Sequence, residues 1–155
     1  MEVIRPASTD GDFAQGRVLF EEYAAGLAID VCFQGFAQEL ESLSRMYGPP
    51  RGVLLLAELD GAPVGCGAVR PLDDDICELK RVYVRPDFRG TGMGRRLTET
   101  ALQIAREMGY KSIRLDTLPQ MQAAQRLYEG LGFRDITAYY GEPMPGQRFM
   151  EAVLS

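Results

Sequence analysis

Arg89-Gly90-Thr91-Gly92-Met93-Gly94-Arg95-Arg96 places three glycines at alternate positions between a run of strand-forming residues and an amphipathic run. Upstream, Ile76-Cys77-Glu78-Leu79-Lys80-Arg81-Val82-Tyr83-Val84 reads as a strand. Downstream, Leu97, Ala101, Ile104, Ala105 and Met108 recur at steps of three and four, which predicts a helix over residues 95–108 with one apolar face. A helix that begins in such a loop points unpaired backbone N–H groups and its positive dipole end outward. That combination receives an anion, and a phosphate group fits it. Arg89, Arg95 and Arg96 add fork-like donors and fixed positive charge beside it.

Further from the loop, strands are expected at residues 2–5, 53–59, 64–70, 112–116, 133–139 and 148–154. Helices are expected at 13–25, 33–47 and 121–130. Ser8-Thr9-Asp10 offers capping side chains for the first helix. Pro49-Pro50 ends the second, since neither proline can donate into a ladder. Asp60-Gly61 between two apolar runs is a hairpin signal, glycine accepting positive φ without a Cβ penalty. Strands come first in hairpins and later alternate with helices, so the sheet should be mixed. No repeat, low-complexity tract or linker breaks the 155 residues, which are read as a single domain over residues 1–155.

Composition removes several chemistries. The chain has no histidine, which excludes Ser-His-Asp and Cys-His devices and imidazole metal sites. Its three cysteines, Cys32, Cys66 and Cys77, are too few and too widely spaced for a disulfide framework or a CxxC knuckle and read as small buried residues, so no metal is expected. A formal charge of −5 disfavours a sequence-independent grip on nucleic acid and tilts the expected partner slightly towards cations such as polyamines. The longest apolar run, residues 53–57, is far short of the ~20 that a membrane-spanning helix needs. The first residues show no basic stretch followed by an apolar one, and a cytoplasmic address is expected.

The loop itself admits more than one reading. A surface turn needs fewer glycines and no arginines. A nucleotide-triphosphate loop needs GxxxxGK, and here Gly94 is followed by Arg95. A dinucleotide fingerprint needs GxGxxG, and here the third glycine comes one residue early, although Asp116 stands about where a ribose-binding acid could sit and an oxidoreductase would follow.

Arg89-x-x-Gly92-x-Gly94, preceded by Leu79-Lys80-Arg81-Val82-Tyr83-Val84-Arg85-Pro86, resembles the acetyl-CoA signature of the GNAT superfamily of N-acetyltransferases. Ala124-Gln125-Arg126-Leu127-Tyr128-Glu129-Gly130-Leu131-Gly132-Phe133 is similar to the second signature of that superfamily. The two lie in the expected order and together span residues 78–133. The resemblance implies an α/β fold of the mixed α+β kind in three layers: a central mixed sheet of about six to seven strands, helices on both faces and a V-shaped cofactor cleft. It implies an acetyl-CoA-dependent acyltransferase that passes an acetyl group to a primary amine of a small molecule or a protein by direct attack. A non-catalytic acyl-CoA-binding or sensing domain is the alternative. Neither nucleic acid nor membrane is an expected partner, and a homodimer is compatible with the family.

By the same resemblance, the backbone of Val82, Tyr83 and Val84 faces pantetheine, while Arg89, Gly90, Thr91, Gly92, Met93, Gly94 and Arg95 wrap the pyrophosphate. The N–H of Val82 would stabilise the oxyanion of the tetrahedral intermediate. Transfer makes two proton demands: an ammonium of pKa ~10.4 must lose a proton, and a departing thiolate of pKa ~8.5 benefits from gaining one. Tyr128 matches the family's general acid, or else anchors its helix in the core. Glu78 stands where many members keep a catalytic glutamate, or else is an edge-strand carboxylate paired with Lys80 or Arg114. Seven residues before the tyrosine the family often has Asn, and this chain has Met121, with Gln120 and Gln122 beside it. Tyr23, Asp30, Phe33, Gln34, Phe36, Tyr139 and Tyr140 are candidates for the acceptor pocket, with Phe33, Gln34, Tyr139 and Tyr140 as the substrate-binding set.

Overall fold

A computed structural model describes residues 1–26, 35–141 and 143–154. Seven strands, β1 (Glu2–Pro6), β2 (Val53–Leu59), β3 (Ala62–Pro71), β4 (Ile76–Val84), β5 (Ser112–Thr117), β6 (Arg134–Ile136) and β7 (Arg148–Val153), form one sheet in the order β1-β2-β3-β4-β5-β7-β6. β4 and β5 run parallel and every other neighbouring pair is antiparallel.

Alternation along the strands divides the core in two, because successive side chains point to opposite faces. Val53, Leu55, Val69, Cys77 and Leu79 meet Leu97, Ala101 and Ala105 of α4 (Met93–Glu107) on one face. Leu54, Leu56, Cys66 and Ala68 meet Leu19 and Phe20 of α1 (Asp10–Gly26) and Phe36 of α2 (Phe36–Glu41) on the other. Gly16 allows α1 to approach closely: a Cβ there would come within 2.9 Å of Leu54 Cδ1. The two layers of helix and the mixed sheet are those the sequence predicts.

The helix expected over residues 33–47 is two short pieces, α2 and α3 (Leu43–Met46), with the break at Ser42. Ser42 N–H turns to the Glu39 carbonyl at 3.0 Å. The break lets Glu39 on one piece and Tyr47 beyond the other both reach the interior. The strand expected over 133–139 stops at Ile136. β7 inserts between β5 and β6, so β6 is a short edge strand, and Tyr139 and Tyr140 leave the ladder to stack on Phe149 at 5.3 and 5.2 Å. Of the expected Ser8-Thr9-Asp10, Thr9 is the cap of α1: Asp12 N–H donates to Thr9 Oγ1 at 3.0 Å while Asp12 Oδ2 accepts from Thr9 N–H at 3.2 Å, a reciprocal capping box.

The feature that positions the site is a split in the middle of the sheet. β4 and β5 pair through Ile76↔Ser112, Cys77↔Ile113 and Glu78↔Arg114 and then diverge. Their divergence coincides with a bulge in β4, where Cys66 pairs with Tyr83 and Ala68 with Lys80, so that Arg81 and Val82 together oppose Gly67. Arg81 adopts φ +60°, uncommon for a residue with a Cβ. Its side chain holds it there: the guanidinium makes two hydrogen bonds to the Glu39 carboxylate, at 2.9 and 2.8 Å, between the rings of Tyr23 and Phe36.

Candidate active site

The opening between the diverging strands is a cleft of about 590 Å³. One wall is residues 79–84 of β4, the other residues 115–117 of β5, and beyond Glu78↔Arg114 no ladder pairs them. The backbone edge of β4 is thus open to pairing by a ligand. At the outer end α4 starts from Gly92, at φ +84°, with no side-chain cap on its first turn, so the N–H groups of that turn face the cleft mouth. Gly94 also lines the cleft, and a Cβ added to it would find nothing nearer than Val84 Cγ2 at 4.0 Å. The space there is left for something other than protein. A strand-like edge leading to an uncapped helix N-terminus fits an amide-bearing chain ending in a diphosphate, which is the shape of coenzyme A.

Val82, Tyr83, Val84, Arg89, Gly90, Gly92, Met93, Gly94, Arg95 and Tyr128 all line this one cleft. Thr91 does not, being exposed with its hydroxyl donating to the Phe88 carbonyl at 2.9 Å. Arg96, expected beside the loop's anion, does not line the cleft: it donates to the loop's Thr91 carbonyl at 3.0 Å and to Glu2 of β1 with two hydrogen bonds at 2.6 and 2.5 Å. Arg89 donates from Nε to the Val84 carbonyl at 2.8 Å, with its guanidinium over the Tyr83 ring. Met121 lines the cleft where the family often has Asn, and Gln120 lines it beside Met121 while Gln122 does not.

Tyr128 reaches the cleft from α5 (Gln122–Gly130), its ring edge-on to Phe133 at 5.6 Å. Burial pushes its phenol well above the ordinary tyrosine value, and the nearby Tyr23 and Asp116 push the same way. It is both a core residue and a cleft residue, so the two sequence readings of it are compatible.

Glu78 is neither on an edge strand nor paired with Arg114. β4 lies in the middle of the sheet, and Arg114 bonds Glu151 at 2.7 Å. Glu78 is fully buried, accepting from Arg70 Nε at 2.8 Å on one oxygen and from the Tyr139 hydroxyl at 2.5 Å on the other, with Lys80 Nζ at 4.0 Å. Neither Glu78 nor Tyr139 is among the residues lining the cleft; the Tyr139 phenol is raised by burial and by that carboxylate. Tyr140 stands beside it, its oxygen accepting from Gln147 Nε2 at 3.3 Å while Gln147 also donates to Asp116. Of the other acceptor candidates, Tyr23 lines the cleft, Phe36 is buried against Arg81, and Asp30, Phe33 and Gln34 lie outside the described residues.

Sequence reasoning missed the Glu39–Arg81 pair, Arg70 and the position of Asp116 in the cleft wall. Glu39 and Arg81 are 42 residues apart, Asp116 and its partner Gln147 are 31 apart, and Arg70 meets Glu78 across the β3–β4 pair, so no local pattern signals them. Burial raises the Cys66 thiol, and it raises that of Cys77 to about 12, which leaves neither as a nucleophile, while Cys32 lies outside the described residues. Among the described residues, no group of acidic or sulfur side chains could hold a metal ion, and no helix is long and apolar enough to cross a membrane.

The cleft, loop and tyrosine agree with what the chain is similar to. The profile of the Acetyltransferase (GNAT) family matches residues 22–133. An uncharacterised N-acetyltransferase of Schizosaccharomyces pombe is 38% identical over 93% of this chain and 90% of its own length. One of Escherichia coli is 35% identical over 86% of this chain and 83% of its own. An acetyltransferase structure from Streptococcus agalactiae superposes with a TM-score of 0.80 at 24% identity, covering 99% of this chain and 98% of that one. Another, from Salmonella typhimurium with its cofactor acetyl-CoA, gives 0.72 at 22%, covering 100% and 95%. With the family profile spanning both motifs and the strands that part between them, this chain belongs to the GNAT family of acetyltransferases.

Proposed function

We propose that this acetyltransferase moves the acetyl group of acetyl-CoA onto an amine by direct attack, with no acyl-enzyme, and that Tyr128 and the Glu78–Tyr139 pair divide the proton transfers. The observation that carries the reading is the cleft itself, an unpaired β4 edge that runs from an uncapped glycine-rich helix start to a buried tyrosine. Acetyl-CoA supplies the thioester. Val82, Tyr83 and Val84 orient its amide arm, and the loop from Arg89 to Arg95 takes its diphosphate. Thr91 contributes its backbone only, because its hydroxyl is spent on Phe88.

As the amine nitrogen bonds to the acetyl carbon, its proton passes to the Tyr139 oxygen while the Tyr139 proton passes to Glu78, along the 2.5 Å hydrogen bond. The C–S bond then breaks and the departing sulfur takes the proton of Tyr128, which burial keeps neutral and so available as a donor at physiological pH. The Cys66 and Cys77 thiols, held protonated by burial, offer no competing nucleophile. One domain acting in the cytoplasm on a small molecule or on a protein amino group accommodates these roles.

Thiol release from acetyl-CoA across a panel of amines tests the reading, alongside calorimetric titration with coenzyme A. Saturable turnover that Tyr128→Phe depresses is the expected result. Coenzyme A binding with no turnover of any amine would favour a sensing domain, and no binding at all would remove the cleft from consideration.

A further inference from the structure

On the α1–α2 face of the sheet, a second cavity of about 560 Å³ opens between α2, α3 and the β3–β4 pair. Gln38, Glu39, Ser42, Arg45, Arg70 and Lys80 are among its walls. Lys80 lines the cofactor cleft as well, so the two cavities adjoin at this residue. Among the described residues the lining holds three cations, Arg45, Arg70 and Lys80, and one carboxylate, Glu39, which is already bonded twice to Arg81.

Among the described residues, the one carboxylate that ion-pairs with any of the three is Glu78, shared between Arg70 at 2.8 Å and Lys80 at 4.0 Å. Arg70 donates from Nε to Glu78 and has no described partner for its two terminal nitrogens. Arg45 donates to the Ser42 hydroxyl at 3.0 Å and has no ion-pair partner among the described residues. Lys80 is only 12% exposed, makes no hydrogen bond to a described residue, and finds its nearest carboxylate oxygen at 4.0 Å, on a Glu78 already shared by Arg70 and Tyr139. Burial and the neighbouring Arg81 lower its pKa, against the opposing pull of Glu78, Asp116 and Glu39. A net charge of −5 over the whole chain draws cations at long range, but the lining of this cavity has the opposite sign.

We infer that this cavity seats the acceptor, and that the acceptor is an amine that also carries a carboxylate, an amino-acid-like molecule. Its carboxylate lies against Lys80 and Arg45, with the free edge of the Arg70 guanidinium beside them, and its amine points past Lys80 into the cofactor cleft. The inference rests on the acetyl-transfer reading and narrows it to one substrate class.

Its test compares glycine, leucine and glutamate with their carboxamides, and with putrescine, in the thiol-release assay. The acids should exceed the carboxamides in kcat/KM by at least about 10-fold, the equivalent of one charge-assisted hydrogen bond. Arg45→Gln should raise KM for the acids and shrink the acid-to-carboxamide ratio, and Arg45→Lys should restore part of it. Equal use of acid and carboxamide, faster use of putrescine, or a ratio unmoved by Arg45→Gln would overturn the inference while leaving acetyl transfer standing. If no amine turns over, the acetyl-transfer reading itself fails. The protein loaded with coenzyme A is then titrated calorimetrically with the same acids: binding that Arg45→Gln weakens supports the carboxylate site, and absence of binding overturns it.

Discussion

Tyr128 and Arg81 are the two side chains on which the proposed chemistry and the geometry of this site turn. Tyr128 has its pKa raised, so the neutral, proton-donating form persists above the ordinary tyrosine range. Its deprotonation should therefore contribute no descending limb to the pH profile of kcat below the ordinary tyrosine value of ~10. Tyr128→Phe should lower kcat by about 10²-fold, the lower end of general-acid effects, with the coenzyme A affinity measured by calorimetry little changed. A loss confined to coenzyme A affinity would make the residue a binding group instead. Arg81 acts on geometry. It and Glu39 have side chains 6% and 5% exposed, so removing one leaves the other as an uncompensated buried charge. Arg81→Met should cost about 3–5 kcal/mol in chemical denaturation, whereas Glu39→Leu combined with Arg81→Met should recover most of that. The double variant should still bind coenzyme A poorly, because nothing then holds the backbone of residue 81 at φ +60° and the bulge can relax.

At the scale of elements, α4 and α1 begin differently and the difference is functional. α1 is closed by its capping box and by Arg5, whose Nη1 and Nη2 meet the two oxygens of Asp12 at 3.0 and 2.9 Å. α4 starts from a glycine with no side-chain cap. The Arg5 hydrogen bonds, and the backbone donors of Ser8 and Thr9, hold the Asp12 carboxyl well below the usual carboxylate range. A carboxyl with a depressed folded pKa contributes stability that is fully present above its unfolded pKa of ~3.9 and is lost as pH falls through the folded value. Asp12→Asn should therefore lower Tm at pH 7 and flatten the loss of Tm below pH 4. In α4, Gly94→Ala should leave Tm unchanged or raise it, since alanine is the better helix former by about 1 kcal/mol and its Cβ meets no protein atom closer than 4.0 Å. The same methyl should weaken coenzyme A binding at least several-fold, and an unchanged affinity would mean that the diphosphate does not approach this turn. Both helix starts were legible in the sequence because caps and glycine loops are local. The break at Ser42 and the early end of β6 were not, since one depends on Glu39 reaching Arg81 across the core and the other on β7 taking the inner place beside β5.

Across the whole molecule, the sheet order and the cleft were largely legible because two motifs fixed the elements flanking the split, but the charges that cross the sheet were not. Arg70, Glu78, Arg114, Glu151 and Arg134 stand opposite one another in register on β3, β4, β5, β7 and β6, a row of alternating sign that exists only once the strands are assembled. The row crosses the sheet at its narrowest joint. β1 to β4 form one half and β5 to β7 the other, and their strands share only the pairs Ile76↔Ser112, Cys77↔Ile113 and Glu78↔Arg114. A ligand that lies along the open β4 edge and also touches β5 and α5 adds contacts across that joint, so its binding should stabilise the two halves against separation. Coenzyme A at about 100 times its dissociation constant adds ~2.7 kcal/mol. For a chain of this length that corresponds to a rise in Tm of roughly 5–11 °C, at ~2–4 °C per kcal/mol. Hydrogen exchange should locate the effect, with new protection concentrated at residues 79–84 and 115–117 and on the first turn of α4, and little at β1 or β6. A thermal shift of that size with no added protection along the β4 edge would mean that coenzyme A binds without completing the sheet, and the oxyanion donor assigned to Val82 would have to be sought elsewhere.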